Sequence, residues 1–424
     1  MYQTFALKGD IIFSQTPQAL AVYPQHYIVC ENGICAGVFA DLPAQFTDIP
    51  VKDYSDNLII PGLIDLHAHA PQYAFRALGM DLELLDWLNT QTFPQESRYA
   101  NLDYARRAYT IFTDDLRRSA TTRAVLFGTL HVPATLMLMQ LLEQSGLITW
   151  VGKVNMDRNS PDTLCEADAQ SALESTRDWL AHCRNFKHCL PILTPRFLPS
   201  CSDALMEGLH ILQGETGLPV QSHLSENQSE IAWVRELCPK SNGYGDAYDQ
   251  FGLFGGADCP TIMAHCVWSN ADERALIKQN GVFIAHCPQS NINLSSGVAP
   301  VRTYLDEGLS VGLGSDIAGG TQLSLLRAMA DAVQASKLRW RLFDQSVPPI
   351  TLPEAFWLGT RGGGAFFGKV GAFLPNFAFD AIVLDDHDLP CPLTLTPEER
   401  LTRLIYLSDD HAVIHKYVNG HELF

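Results

Sequence analysis

Short apolar stretches alternate with longer amphipathic segments along most of this chain. From residue 58 onward, β-prone apolar stretches occur at residues 58–69, 123–127, 148–154, 190–194, 219–223, 261–265, 282–286 and 310–313. A strand buried in a parallel sheet is a nearly continuous apolar run, and the segment that returns to the next strand is usually a helix. Eight strands in about 250 residues match the size of a (β/α)8 TIM barrel. We therefore predict an α/β fold with this barrel, and a doubly wound open sheet is the competing fold.

The two ends of the chain follow a different pattern. Residues 10–13, 27–30 and 36–39 resemble short strands joined by turns such as Glu31-Asn32-Gly33, and residues 380–384 and 413–418 do the same. Pairs such as Asn-Gly favour the tight turns of hairpins. We predict a small β-sandwich-like domain formed by residues 1–58 and 371–424, beside a barrel domain of residues 59–370.

The composition limits the kind of partner that the protein can bind. Of 424 residues, 29 are Lys or Arg and 47 are Asp or Glu, which gives a formal net charge of -18. Nucleic-acid binding depends on clustered positive charge, so we expect no nucleic-acid partner and favour a small-molecule substrate.

The cellular location is predicted from three further absences in the sequence. No apolar run has the length of a membrane span, and no signal peptide is evident, so we expect no membrane partner. The 11 cysteines include no Cys-x-x-Cys pair. Scattered cysteines in odd number suit reduced thiols, and we therefore predict a cytoplasmic protein.

His67 and His69 are the first residues that indicate chemistry. They lie one residue apart at the end of the apolar run 58–66. Alternate side chains of a strand point to the same face, so both imidazoles can approach a single metal ion. A surface pair or a hydrogen-bonded core pair is the alternative for such a spacing, and it is common for an isolated His-x-His.

Other residues that can bind metals occupy the ends of later predicted strands. The fifth, sixth and seventh stretches end at His223, His265 and His286, and the eighth leads to Asp316 three residues later. The carboxyl ends of all eight strands of a TIM barrel lie at one face, where the active site is found. Buried imidazoles and carboxylates require partners. The presence of several of them at one face therefore favours a functional cluster over residues that only pack in the core.

Glu226 follows His223 by three residues and falls in the same predicted strand-to-helix loop. A carboxylate at this position could receive a proton from an activated water and pass it to a leaving group. An acid in the first turn of a helix, favoured by the helix dipole, is the alternative. We favour the proton shuttle because a candidate ligand lies immediately before it.

These motifs resemble those of the amidohydrolase superfamily over nearly the whole chain. The resemblance rests on the segment PGLIDLHAH at residues 61–69, on His223 and His265, and on Ser315-Asp316. The segment HLSE at residues 223–226 is similar to the mononuclear zinc deaminase branch. Further segments resemble the members that act on guanine: HAPQ (69–72), LDWLNT (85–90), TFP (92–94), GKVNMDRN (152–159), PRF (195–197), QSHLSEN (221–227) and DIAGG (316–320).

The resemblance implies one Zn²⁺ per chain, held by His67, His69, His223 and Asp316. Asp316 would also contact the attacking water, and His265 would stabilise the charge that develops there. Binuclear relatives carry a carboxylated lysine at the fourth strand, which is not evident at residues 193–195. Lys153, on the third predicted strand, is the lysine to examine.

The resemblance also implies a substrate and a set of contacts. Gln72, Arg196 and Phe197 would contact the purine, together with His223, Glu226 and Asp316. An amide can donate and accept along a purine edge, and a guanidinium can polarise a purine carbonyl. For Arg196, a surface ion pair after the fourth strand is the alternative.

The implied reaction is the zinc-dependent hydrolytic deamination of guanine to xanthine and ammonia, a step of purine catabolism or salvage. Glu226, His265 and Asp316 would be the catalytic residues, and the resemblance suggests a homodimer. Two alternatives remain open. One is deamination of another amino-heterocycle, such as 8-oxoguanine, a pterin or a triazine, and the other is a non-catalytic barrel protein.

Overall fold

The computed structural model describes residues 4–408 and 410–424. Its strands, in chain order, are β1 (Phe5–Thr16), β2 (Ala19–Glu31), β3 (Ile34–Phe39), β4 (Val51–Pro61), β5 (Leu63–His69), β6 (Thr121–Phe127), β7 (Ile148–Gly152), β8 (Val154–Asn155), β9 (Cys189–Pro191), β10 (Thr194–Pro195), β11 (Val220–Leu224), β12 (Thr261–His265), β13 (Phe283–His286), β14 (Ser310–Leu313), β15 (Ala381–Leu384), β16 (Val413–Val418) and β17 (His421–Glu422).

Most of the α-helices lie between successive parallel strands of the barrel, and the last one lies between the antiparallel strands β15 and β16. They are α1 (Leu84–Trp87), α2 (Phe93–Glu96), α3 (Leu102–Arg118), α4 (Val132–Ser145), α5 (Ala169–Cys183), α6 (Asp203–Thr216), α7 (Gln228–Leu237), α8 (Tyr244–Gln250), α9 (Ala271–Asn280), α10 (Pro288–Asn293), α11 (Val301–Asp306), α12 (Leu325–Leu342), α13 (Leu352–Trp357) and α14 (Pro397–Leu407). None of the helices in the described residues combines the length and the apolar character needed to cross a bilayer.

Eight parallel strand positions close into a barrel. β5, β6, β7 and β9 pair in that order, and so do β11 to β14. A bridge between Leu193 and Val220 joins the two halves on one side. On the other side, the backbone N–H of Asp316 donates to the His67 carbonyl at 2.8 Å. The predicted α/β barrel is therefore confirmed, and closure excludes the open sheet.

Branched side chains from facing strands fill the barrel interior. Ile64 and Leu66 of β5 pack in one cluster with Val125, Ile262 and Ala285 from β6, β12 and β13. This layer is apolar, and the imidazoles of His69, His265 and His286 lie at the last positions of β5, β12 and β13.

The predicted run 58–69 is two strands rather than one. β4 ends at Pro61 and pairs with β1 and β15, whereas β5 begins at Leu63 and pairs with β6. Gly62 lies between them, where a Cβ atom would come within 2.2 Å of Thr122 Oγ1. A continuous apolar run cannot reveal this break, since both strands are buried.

Both ends of the chain contribute to one seven-stranded sheet, ordered β17-β16-β15-β4-β1-β2-β3. Asn32 and Gly33 have positive φ at the hairpin between β2 and β3, as the turn pattern predicts. The predicted domain limits at residues 58 and 371 stay a prediction, although β4 extends past the first of them. Among the described residues, every cysteine is a free thiol.

Candidate active site

Three imidazoles meet at the carboxyl ends of β5 and β11. His67 and His69 project from alternate positions of β5, and their ring centroids lie 4.9 Å apart. The His223 ring lies 4.9 Å from that of His67, and its Nε2 atom is 3.2 Å from Nε2 of His69. One nitrogen from each ring falls within 4.8 Å of the others, so these three side chains could hold a metal ion.

Asp316 brings a carboxylate to the same place from the loop after β14. Its Oδ1 lies 3.1 Å from His67 Nε2 and 3.5 Å from His69 Nε2. The His67 Nε2 atom is buried and makes no hydrogen bond. A buried nitrogen without a hydrogen-bond partner, facing a carboxylate, fits a cation that both atoms could coordinate.

The charges of this cluster are those that metal ligands require. Burial lowers the pKa of both His69 and His223 well below the usual value, so both rings are neutral. Burial opposes ionisation of Asp316, but the neighbouring imidazoles, led by His67, hold its pKa far below the usual range. Deprotonated imidazoles and an ionised carboxylate are the forms of these side chains that bind a divalent metal ion.

A backbone carbonyl orients the His223 ring, and a buried carboxylate holds the backbone at His67. His223 Nδ1 lies 2.6 Å from the Arg196 carbonyl oxygen, which can only accept, so Nδ1 donates and Nε2 is left free. The buried Asp65 carboxylate accepts hydrogen bonds from the His67 backbone and from the Ser315 N–H and hydroxyl groups. It thereby ties the end of β5 to the end of β14.

Glu226 lies beside the cluster and outside both groups of possible metal ligands. Its Oε2 is 3.4 Å from His265 Nε2, and its Oε1 accepts a hydrogen bond from Ser296 Oγ at 3.0 Å. Burial raises the pKa of Glu226 to about 7, against the opposing charge of His265. A carboxyl with this pKa can take and release a proton near neutral pH.

The helix-acid alternative for Glu226 belongs instead to Glu230. Helix α7 begins at Gln228 with Asn227 as its N-cap, so Glu226 precedes the helix. Glu230 completes a capping box, and its Oε2 accepts the Glu226 backbone N–H at 3.1 Å. The carboxylate of Glu226 is thus left for the pocket.

A pocket opens over this cluster. It is lined by His69, Gln72, Leu84, Trp87, Leu88, Arg196, Phe197, His223, Glu226, Glu230, His265, Leu294 and Asp316. The three predicted purine contacts, Gln72, Arg196 and Phe197, therefore share the pocket with the predicted ligands and Glu226. Arg196 does form an ion pair, as the alternative interpretation held, but the pair is buried and not at the surface.

Two residues that the sequence singled out lie elsewhere. Lys153 is fully buried, forms an ion pair with Glu166 and does not line the pocket. His286 ends β13, but it belongs to neither group of possible metal ligands in the described residues. Burial lowers the pKa of His286 to about 3, so its ring is neutral.

Several residues at the site were missed by sequence reasoning. Ser296 contacts Glu226, Asn291 Oδ1 lies 2.9 Å from His265 Nδ1, and Glu96 pairs with Arg196. Leu84, Leu88 and Leu294 complete the apolar wall. Leu88 lies within the segment LDWLNT and Glu96 follows the segment TFP, but no local motif distinguishes the other residues from ordinary loop and helix positions.

Comparison with known proteins agrees with this geometry. Residues 58–423 match the profile of the Amidohydrolase family. The chain is 38% identical to the guanine deaminase of Dictyostelium discoideum over 88% of its own length and 84% of that protein. The crystal structure of the guanine deaminase of C. acetobutylicum, with bound guanine in the active site, has a TM-score of 0.96 and 46% identity, covering 99% of this chain and 100% of that one.

A more distant structure shares the fold. An adenosine deaminase from Xanthomonas campestris with bound zinc has a TM-score of 0.84 at 21% identity, covering 99% of this chain and 92% of that one. Because the family profile spans residues 58–423 and the guanine deaminases match most of both chains, this chain belongs to the amidohydrolase family.

Proposed function

We propose that this protein catalyses the hydrolytic deamination of guanine to xanthine and ammonia, as a step of purine catabolism or salvage. The observation that carries the proposal is the placement of Glu226, a buried carboxyl with a pKa of about 7, beside a His and Asp cluster that could hold a metal ion. The guanine deaminases to which the chain is similar support the choice of substrate.

We assign one Zn²⁺ per chain to His67, His69, His223 and Asp316. When bound, the metal would lower the pKa of a coordinated water toward neutrality. The donor set of three imidazoles and one carboxylate suits zinc. The zinc-bound deaminase of the same fold is consistent with that choice.

Three side chains carry out the proton transfers and stabilise the charges of the reaction. Glu226 takes a proton from the attacking water and delivers it to a ring nitrogen of guanine. As the C–O bond forms at the carbon that bears the amino group, His265 Nε2 stabilises the negative charge that develops on the attacking oxygen. Asp316, whose Oδ2 lies 3.7 Å from His265 Nε2, accepts a hydrogen bond from the attacking water. Glu226 then takes the proton of the newly added hydroxyl group and transfers it to the amino group, so that the C–N bond breaks, the carbonyl of xanthine forms and ammonia leaves.

Substrate recognition is assigned to the pocket wall. Arg196 and Gln72 present polar groups to the purine edge, and Phe197 contributes an apolar surface. We further propose a cytoplasmic homodimer.

The test follows the loss of guanine ultraviolet absorbance beside a panel of other aminopurines, pterins and triazines, with the metal content measured on the same sample. We expect the highest kcat/KM for guanine and about one zinc per chain. A preference for another amino-heterocycle would overturn the substrate but not the reaction class. A purified chain that neither contains nor takes up zinc, and turns over none of the panel, would indicate a non-catalytic barrel.

A further inference from the structure

Glu96, at the end of α2, is a buried carboxylate that contacts both polar side chains proposed to select the base. Its exposed fraction is 2%, and that of Arg196 is 3%. Arg196 donates from Nη1 to Glu96 Oε2 at 2.6 Å and from Nη2 to Oε1 at 3.1 Å. Gln72 donates from Nε2 to the same Oε1 atom at 2.8 Å. One carboxylate therefore holds both side chains.

The contact with Glu96 decides which way the Gln72 amide faces. A carboxylate oxygen can only accept a hydrogen bond, so the amide nitrogen must face Glu96. The amide oxygen is held on its other side by the Ala318 backbone N–H at 3.1 Å. Gln72 is thus fixed in one orientation, with its second N–H as the remaining donor.

Arg196 is held at its edge, at its face and through its backbone. Glu96 binds the edge in a bidentate pair, and the guanidinium carbon lies 5.2 Å from the centre of the Phe93 ring. Phe93 and Glu96 are three residues apart on α2, so one short helix supplies both contacts. The Arg196 carbonyl accepts from His223 Nδ1, which links this group to the metal cluster.

We propose that Glu96 is a specificity-determining positioning residue, an inference that rests on the proposed function. By holding Arg196 and Gln72 as hydrogen-bond donors, Glu96 makes the pocket select a ring edge that offers acceptors, such as the 6-carbonyl of guanine. A ring with an amino group at position 6 would place its own N–H donors against those of Arg196 and Gln72, and the pocket rejects it. A site built from buried polar groups discriminates strongly because a mismatched ligand leaves those groups unpaired.

The test compares the wild-type enzyme with Glu96→Gln, loaded with metal and assayed with guanine as substrate and 2,6-diaminopurine as competitive inhibitor. The two compounds differ at position 6, where the diamino compound has a donor in place of the carbonyl, and at N1, which carries a hydrogen only in guanine. We expect Glu96→Gln to raise the KM for guanine by about tenfold or more, with a smaller change in kcat, because bonds to a charged partner are lost. The Ki of 2,6-diaminopurine should stay within about threefold or fall.

Glu354→Gln is the matched control. Glu354 is 1% exposed and forms a bidentate ion pair with Arg302, and it does not line the pocket. Both variants should lower the melting temperature, but only Glu96→Gln should change the ratio of the KM for guanine to the Ki for 2,6-diaminopurine. If the ratio is unchanged in Glu96→Gln, Glu96 is a structural residue and the proposal is wrong.

Glu96→Asp serves where Glu96→Gln does not fold. The shorter carboxylate keeps the charge but cannot reach both partners at the same distances, so the ratio should move in the same direction by a smaller amount. An unchanged ratio in a folded Glu96→Asp would also overturn the proposal. Failure of the wild-type enzyme to deaminate guanine would instead overturn the proposed function, and the two failures are therefore distinguishable.

Discussion

Glu226 and Glu230 lie four residues apart, and the partners of each carboxylate determine what it can do. Glu230 is held by the start of α7 and by the Tyr244 hydroxyl, which donates to it at 2.7 Å. Glu226 receives one hydrogen bond from Ser296 and otherwise faces His265. Of the two carboxylates, only that of Glu226 is placed and free to carry a proton to the substrate.

At the scale of single residues, we predict that Glu226→Gln and His67→Ala separate catalysis from metal binding. Glu226→Gln should lower kcat by about 10²–10⁴-fold, the contribution typical of a positioned general acid or base. It should keep its metal, because Glu226 belongs to neither group of possible ligands. His67→Ala should lose both metal and turnover. The checks are steady-state kinetics and metal analysis, and normal turnover by Glu226→Gln would contradict the shuttle.

Among the secondary-structure elements, α7 has the closest connection to the chemistry. Its capping box, formed by Asn227 and Glu230, fixes the backbone directly after Glu226. The Asn227 amide also donates to Glu83 Oε1 at 3.1 Å, beside α1 on the pocket wall. Helix α14 has the same type of capping box, formed by Thr396 and Glu399, but lies outside the pocket. The two helices therefore offer a matched pair.

We predict that Asn227→Ala and Thr396→Ala each lower the free energy of unfolding by about 1 kcal/mol, the usual contribution of an N-cap side chain. Only Asn227→Ala should also lower kcat/KM, because the start of α7 positions the Glu226 backbone. Denaturant unfolding and kinetics on the two variants provide the measurement. Equal activity in both variants would show that the cap of α7 does not position Glu226.

At the scale of the whole molecule, the seven-stranded sheet contacts the barrel through a buried lysine. Lys416 of β16 donates from Nζ to the carbonyls of Arg117 at 2.7 Å and Thr121 at 2.9 Å, at the end of α3 and the start of β6. Burial lowers the pKa of Lys416 to about 7, although the charge of Asp410 opposes the shift and that of Arg117 adds to it. The stability of the molecule should therefore depend on pH through this contact.

The sign of that dependence follows from proton binding. Between pH 7 and the ordinary lysine value of 10.5, the folded chain binds fewer protons at Lys416 than the unfolded chain. The contribution of Lys416 to the free energy of unfolding should therefore rise with pH through this window and be smallest below pH 7. Lys416→Met should remove this component. The free energy of unfolding of the wild type minus that of the variant should therefore increase with pH. Denaturant unfolding at several pH values measures it, and the exposed Lys187→Met is the control. A difference that is constant or falls with pH would contradict the prediction.

The sequence by itself determined the barrel and the composition of its catalytic face. Each barrel strand is an apolar run that is recognisable locally, and parallel strands bring their carboxyl ends to one face whatever their helices do. The positions of His67, His69, His223, His265 and Asp316 at strand ends therefore implied that they would meet. The turn at Asn32 and Gly33 could be read in the same way, because positive φ depends on residue type.

Only the tertiary structure decided which side chains pair with one another. Arg196 and Glu96 are 100 residues apart, and Ser296 and Glu226 are 70 residues apart. Such contacts depend on how loops of different βα units pack, and no local period or motif encodes that packing. For the same reason the break at Gly62 was hidden, since a close approach to Thr122 is visible only when β5 lies against β6. Local patterns thus specify elements and their ends, whereas the packing between elements specifies the partners that give each buried charge its role.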